Sequence, residues 1–221
     1  MGTDNLFHKR KAKQASELAR KKAKRAPYAK VLIVCEGEKT EPNYFSGLKD
    51  YLELNSANIV VTGECGSSPI SISKFAFQKY REEKDAGDSF DKVFCVFDRD
   101  THETYHQALE AIEAARPKDT FHAVTSVPSF EYWLLLHFDY TTAPFMAAGN
   151  KSAGDRVIEE LLKYMPEYQK GDGSVFKQLI EQLPQATAFA ERSLNTARAN
   201  GTDNPSTLVH ELVEYLQNIK Q

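Results

Sequence analysis

The sequence predicts an α/β fold: a doubly wound, mostly parallel sheet followed by a helical C-terminal part. Two observations carry this prediction. Between residues 28 and 140, short runs of β-branched and apolar residues alternate with longer helical patterns, which indicates right-handed βαβ crossovers and a parallel sheet. Beyond residue 140 only amphipathic helical patterns follow. We therefore expect an α/β domain over residues 28–140 and a helical part, packed on it, over residues 141–221.

The first 27 residues predict a basic, flexible arm, able to form a helix but without a broad apolar face. Residues 1–30 carry ten Lys or Arg and two acids, although the whole chain has a net charge of −3. A basic arm on an acidic body is typical of proteins that bind a polyanion, because bound cations release counterions from phosphates. The alternative is a solvated tail that only keeps the protein soluble.

Four strands follow the arm in the prediction. Each is a short apolar run next to a turn or helix-start signal, such as Thr40 with Pro42 or Ser68 with Pro69. The predicted strands are residues 31–35, 59–62, 93–97 and 121–124.

Helices alone are predicted for the C-terminal part. In the last one, Asn204 is the expected N-cap and Pro205 the first helical residue. The predicted helices are residues 157–164, 175–183, 186–197 and 205–219.

Other features narrow the class of protein. The three cysteines, Cys35, Cys65 and Cys95, lie in apolar surroundings and form no C-x-x-C pair, which favours buried thiols in a reducing, cytoplasmic compartment over disulfides or a zinc site. We find no apolar run of membrane-spanning length, and therefore expect no membrane association. Walker A, G-x-G-x-x-G and G-x-S-x-G motifs do not occur.

Carboxylates follow two of the predicted strands. Glu36 comes directly after the first strand, and Asp98 and Asp100 come after the third, where alternation points both aspartates to one side. Open α/β sheets bind ligands at the carboxyl ends of their strands. Paired carboxylates attract Mg²⁺ or Mn²⁺, which can activate water or stabilise a phosphoryl transition state. A solvated acidic loop is the alternative for Glu36.

Several further polar residues are weaker candidates for the same site. Lys39, Arg99 and His102 are candidates for substrate binding, although a loop lysine is usually only solvated. Glu41 and Glu131 are candidates for outer acids around a metal, and Glu131 could instead serve only its helix start.

One motif points to another chemistry. Residues 102–106 read His-Glu-Thr-Tyr-His and satisfy H-E-x-x-H, the zinc-peptidase motif. It stands just after a strand, beside the aspartates, and has no third ligand at a favourable spacing, which argues against zinc proteolysis. His137, in an apolar helix, is expected to be a core residue rather than a ligand.

Four sequence blocks resemble the signatures of the RloB-like family, whose core is similar to a TOPRIM domain. They stand in order between Lys30 and Leu216 and read KVLIVCEGEKTEPNYFSGL, FCVFDRD, SVPSFEYWLLLHF and NPSTLV. The chain departs from the family pattern at Val127, often Asn there, and at Tyr132, often Leu, which leaves the carboxylates untouched but alters the local substrate pocket.

The resemblance implies a TOPRIM-like doubly wound fold in which Glu36, Asp98 and Asp100 form a metal-dependent centre. It implies phosphodiester chemistry on DNA or RNA, including tRNA, in bacterial antiphage defence, abortive infection or restriction-linked systems, often beside a separate ATPase partner. The expectation is thus an Mg²⁺- or Mn²⁺-dependent nuclease. The alternative is a non-catalytic module that binds nucleic acid or a partner ATPase. The sequence leaves the oligomeric state and the choice between DNA and RNA open.

Overall fold

The computed structural model describes residues 3–99 and 103–221. Its centre is a sheet in the order β2-β1-β3-β4-β5, with all neighbours parallel except β4 and β5. The predicted mostly parallel α/β architecture is therefore confirmed. The strands are β1 (Val31–Cys35), β2 (Ile59–Thr62), β3 (Lys92–Asp98), β4 (Phe121–Val127) and β5 (Ser206–Thr207).

Helices cover both faces of the sheet. One face packs against α3 and α4, with Leu32, Val34 and Cys95 among its buried strand residues. The other face packs against α2 and the helices of the C-terminal half, and its strand residues include Ile33 and Val96. The helices are α1 (Thr3–Ala23), α2 (Thr40–Tyr51), α3 (Pro69–Asp85), α4 (Tyr105–Ala114), α5 (Glu131–Leu135), α6 (Ala153–Leu161), α7 (Val175–Leu179), α8 (Leu183–Ala199) and α9 (Val209–Asn218), with a 3-10 turn at Ile180–Gln182.

Local chemistry explains where several helices begin. Ser68 is the N-cap of α3, and its side chain accepts a hydrogen bond from the backbone N–H of Ser71. Pro69 follows it at the first helical position. Ser152 and Asp155 form a reciprocal capping box at the start of α6. These capping side chains accept hydrogen bonds from backbone N–H groups that have no partner within the helix at its start.

The C-terminal part differs from the prediction at its last helix. We predicted a helix over residues 205–219 with Asn204 as N-cap, but α9 begins at Val209 and follows β5. Ser206 and Thr207 pair antiparallel with Val127 and Ser126. A two-residue strand has too few residues to show a period-two pattern, so the sequence did not reveal it.

The basic arm forms helix α1. Its described side chains from residue 8 to 22 are exposed except that of Leu18, which is half-buried. No helix in the described part of the chain has the length and apolar character needed to cross a bilayer. Cys35 and Cys95 are buried free thiols, and Cys65 is a half-buried free thiol.

Candidate functional site

The carboxyl ends of β1 and β3 bring Glu36 and Asp98 together. Glu36 directly follows β1 and Asp98 is the last residue of β3. The carboxylate Oε2 of Glu36 accepts a hydrogen bond of 2.8 Å from the backbone N–H of Asp98. This bond fixes the Glu36 carboxylate against the end of β3, so the two acidic residues belong to one site.

Two further acids reach this site from helix starts. Glu41 lies in the first turn of α2 and Glu131 is the first residue of α5. Both are buried, at 8% and 2% exposure. The sequence predicts both as outer acids, and the structure places their charges close enough to act on Asp98. We call Glu36, Glu41, Asp98 and Glu131 the carboxylate cluster.

Crowding changes the protonation of the cluster. Burial, followed by the charges of Glu41, Glu131 and Glu36, raises the pKa of Asp98 well above its usual range. Burial, with the charges of Glu131 and Glu36, raises the pKa of Glu41 to about 7. Like charges gathered in a partly dry site are unfavourable unless a proton or a cation compensates them. The cluster therefore favours binding of positive charge.

The loop between β1 and α2 needs glycines to build this arrangement. A Cβ on Gly37 would stand 2.7 Å from Oε2 of Glu41, so a side chain there would displace that carboxylate. A Cβ on Gly63, just after β2, would stand 2.0 Å from the carbonyl oxygen of Gly37. Close backbone approach of this kind is available to glycine alone.

Lys170 and Tyr168 complete the site from the segment between α6 and α7. The Lys170 Nζ lies 3.2 Å from Oε1 of Glu131, and the Tyr168 hydroxyl donates to the same oxygen at 3.2 Å. Ser129 donates to the other carboxylate oxygen at 2.7 Å. Three donors therefore hold Glu131 in one orientation. The role of Glu131 is thus not limited to stabilising the start of helix α5.

The charges of the cluster also act on Lys170. Partial burial alone would lower the pKa of its ammonium group, but the charges of Glu131, Asp98 and Glu41 outweigh this and raise it. Lys170 is thus a cation that the structure places beside these acids. No sequence pattern indicates this residue, because a lysine in a polar stretch some 70 residues beyond the third strand looks like any solvated lysine.

The other predicted residues have different positions. Asp100 and His102, the third predicted carboxylate ligand and a predicted substrate contact, lie outside the described residues. Arg99 forms an ion pair with Asp203, a residue outside the cluster. Lys39 is exposed at the start of α2, where its Cβ stands next to Gly171.

The zinc-peptidase alternative gains no support from the described geometry. Helix α4 begins only at Tyr105, so Glu103 and Thr104 lie in a turn rather than within a helix. His106 is exposed. Over residues 3–99 and 103–221, no group of three or more His, Cys, Asp or Glu is arranged so that it could hold a metal ion by itself.

His137 is a core residue, as predicted. Its ring is 1% exposed and packs at 4.9 Å from that of Trp133, whose carbonyl oxygen lies 3.0 Å from Nδ1. Burial lowers its pKa to about 4, so the ring is neutral at physiological pH.

Comparison with known proteins identifies the family. A search of curated proteins and a search of solved structures each gave no match. The family described as RloB-like protein matches over residues 31–216, which includes every residue of the carboxylate cluster together with Tyr168 and Lys170. On this match, which spans most of the sequence, the chain belongs to the RloB-like protein family.

Proposed function

We propose that the chain is a metal-dependent nuclease with a TOPRIM-like fold that hydrolyses phosphodiesters of DNA or RNA, tRNA included. The carboxylate cluster at the carboxyl edge of the sheet is the observation that carries the proposal. In an open α/β sheet this edge is where ligands bind. Family membership supports a place in bacterial antiphage defence or a restriction-linked system, in the cytoplasm and beside a separate ATPase partner.

The donor set fits a hard divalent cation. Carboxylate oxygens are what Mg²⁺ and Mn²⁺ prefer, and Mg²⁺ usually takes one or two protein carboxylates and completes its shell with water and phosphate. Glu36 and Asp98 would hold the cation, with Asp100 as the third predicted ligand. Its positive charge would also offset the burial and the neighbouring carboxylates that together raise the pKa of Asp98. When bound, it would polarise the phosphoryl group and activate a water molecule.

The chain's own residues would organise the rest of the site. Glu131, fixed by Ser129, Tyr168 and Lys170, can orient a water molecule or a metal-bound ligand through its carboxylate. The exposed fraction of the Lys170 side chain is 62%, so its ammonium group can also meet a substrate phosphate from the solvent side.

A binding module without catalysis is the second candidate, and the exposed basic helix α1 favours it. Such a module would dock nucleic acid or a partner ATPase through the same charges. A docking surface for phosphates gains nothing from buried acids, however, because they repel the ligand. The buried positions of Glu41 and Glu131 therefore favour the nuclease.

The Asp98→Asn variant tests the proposal. Mixed DNA and total RNA are incubated with the wild type and with this variant, in Mg²⁺, in Mn²⁺ and in EDTA. We expect metal-dependent cutting by the wild type and none by the variant, because the amide is a weaker cation ligand than the carboxylate. Asp50→Asn, an exposed residue of α2, is the matched control and should cut like the wild type. Unchanged cutting by a folded Asp98→Asn protein contradicts the proposal.

A further inference from the structure

A cavity of about 410 Å³ opens next to the carboxylate cluster, and we call it the Arg99 cavity. Arg99 directly follows Asp98, so the cavity begins one residue from the cluster. The Arg99 side chain forms an ion pair with Asp203, a residue outside the cluster. A nucleic acid strand lying across this edge of the sheet would contact both the carboxylate cluster and the Arg99 cavity.

The walls of the cavity are largely apolar. Val127, Pro128 and Phe145 are buried beneath it. Met146 stands at the rim with 67% of its surface exposed. An exposed, flexible methionine beside an apolar cavity is typical of a surface that adapts to a ligand.

The polar wall carries no net charge. Arg99 pairs with Asp203, and the two side chains are 40% and 46% exposed. An isolated phosphate would have to displace Asp203, so the pair is poorly suited to bind one. A guanidinium has five N–H donors and a carboxylate accepts through two oxygens, so together they match a ligand edge that has both acceptors and donors. The edges of nucleobases have this combination.

We propose that the Arg99 cavity receives an unpaired nucleobase of the nucleic acid cut at the carboxylate cluster. The inference rests on the proposed function and narrows its substrate class to single-stranded or looped nucleic acid. In a duplex the pairing edge of a base is already hydrogen-bonded and both of its faces are stacked, so a base can enter a cavity only when it is unpaired or extruded. The cavity volume lies within the range of about 300–1,000 Å³ that is usual for small-ligand sites.

Filling the cavity tests this inference. Ala147 is exposed and lines the cavity, so Ala147→Trp should occupy it without disturbing the core. The matched control is Ala114→Trp, on the exposed end of α4 that lies at the opposite edge of the sheet. Cleavage is measured on labelled single strands of DNA and RNA and on blunt duplexes of the same sequences, with Mn²⁺.

We expect the wild type and Ala114→Trp to prefer a single strand, and Ala147→Trp to cut it about tenfold more slowly, the loss that corresponds to one base contact. Equal cutting of single strands by all three proteins, or a wild-type preference for duplex, overturns the cavity assignment while the nuclease proposal stands. If the wild type cuts no substrate, the nuclease proposal fails and this inference fails with it.

Photocrosslinking gives a readout independent of cleavage. A single strand that carries thio-substituted bases is irradiated with the protein in EDTA, and the adduct is mapped by mass spectrometry. An adduct on Phe145 or Met146 that is lost in Ala147→Trp supports the inference. Adducts confined to residues outside the cavity overturn it.

Discussion

At the residue scale, the site depends on acids whose neighbours decide what they can do. Glu36 and Asp98 follow strand ends, and the sequence could indicate them because a carboxylate after a buried apolar run is easy to see. Their close approach depends on the 2.8 Å hydrogen bond from the backbone of Asp98, which no sequence pattern reports. Their role as metal ligands remains a prediction.

Lys170 shows the limit of sequence reasoning at this scale. Its contact with Glu131 joins the loop between α6 and α7 to the start of α5, and the sequence offers no periodicity that relates them. The sequence indicates Glu131 as an outer acid or as the acid of a helix start, but it does not indicate that the Ser129 and Tyr168 side chains hold its carboxylate. Contacts between distant segments are set by tertiary packing, which the local pattern does not contain.

Removing the Lys170 charge tests the organisation of the cluster. In Lys170→Met, Glu131 keeps the hydrogen bonds from Ser129 and Tyr168 but loses its cation. We expect cleavage or apparent Mn²⁺ affinity to fall on the order of 10-fold to 100-fold, the usual cost of losing a partner behind a metal site. Lys163→Met, at an equally exposed lysine paired with Glu160, is the control and should change neither. Wild-type values for Lys170→Met would remove this residue from the site.

At the element scale, continuous apolar runs predict strands, whereas pairing with a distant part of the chain leaves no local pattern. Strands β1 and β2 have the predicted bounds, because each is an apolar run that ends at a turn signal. Strand β4 runs on to Val127, three residues beyond the prediction, because Thr125 and Ser126 still pair with β3 and Ser126 and Val127 also gain a partner in β5. That partner lies some 80 residues away, so the extension is a tertiary effect.

A buried ion pair fastens the start of β1 to the turn after α3. Lys30 and Asp88 are each 4% exposed, and Nζ lies 2.8 Å from Oδ2. Glu83 also pairs with Lys30, at 2.6 Å from its Nζ. Arg25 pairs with Asp88, at 2.7 Å from its Oδ1. Burial alone would raise the pKa of Asp88, but the hydrogen bonds and charges of Lys30 and Arg25 outweigh this and lower it.

Asp88→Asn should destabilise the fold. The variant leaves Lys30 buried with Glu83 as its remaining acidic partner, and we expect a loss of about 2–3 kcal/mol in the free energy of unfolding, measured in urea near pH 7. Since the folded-state pKa is lowered, the contribution of Asp88 is present above about pH 4 and is lost as the pH falls through that pKa. Asp85→Asn, at an exposed residue at the end of α3, is the control. Equal unfolding free energies would show that this ion pair does not stabilise the fold.

At the scale of the whole molecule, charge is divided between an arm and a body. The basic side chains of helix α1 between residues 9 and 22 are exposed to solvent. Arg25, just beyond the helix, forms an ion pair with Asp88 of the body. The carboxyl edge of the sheet carries the carboxylate cluster instead, in which Glu41 and Glu131 are buried. This division suits a nucleic acid that is held by the arm and presented to a site able to bind a cation.

Neutralising the arm tests that division. With Lys9, Arg10, Lys11 and Lys13 changed together to Gln, we expect weaker nucleic-acid binding and a shallower dependence of log affinity on log salt, because fewer counterions are released. Fluorescence anisotropy over a range of salt concentrations measures both. The control changes four exposed lysines of the body, Lys74, Lys84, Lys118 and Lys177, to Gln. If both sets of changes have the same effect, the arm has no special part in binding.

The central claim is that Glu36 and Asp98, with Asp100 as the third predicted ligand, hold a divalent cation, and titration of Mn²⁺ into the protein tests it most directly. Calorimetry or electron paramagnetic resonance on the wild type should show Mn²⁺ binding, and Asp98→Asn should lose it because one of the predicted ligands is gone. Circular dichroism checks that the variant is folded. Binding by the wild type that disappears in Asp98→Asn is the predicted result. No binding by the wild type, or equal binding by a folded Asp98→Asn, would contradict the claim.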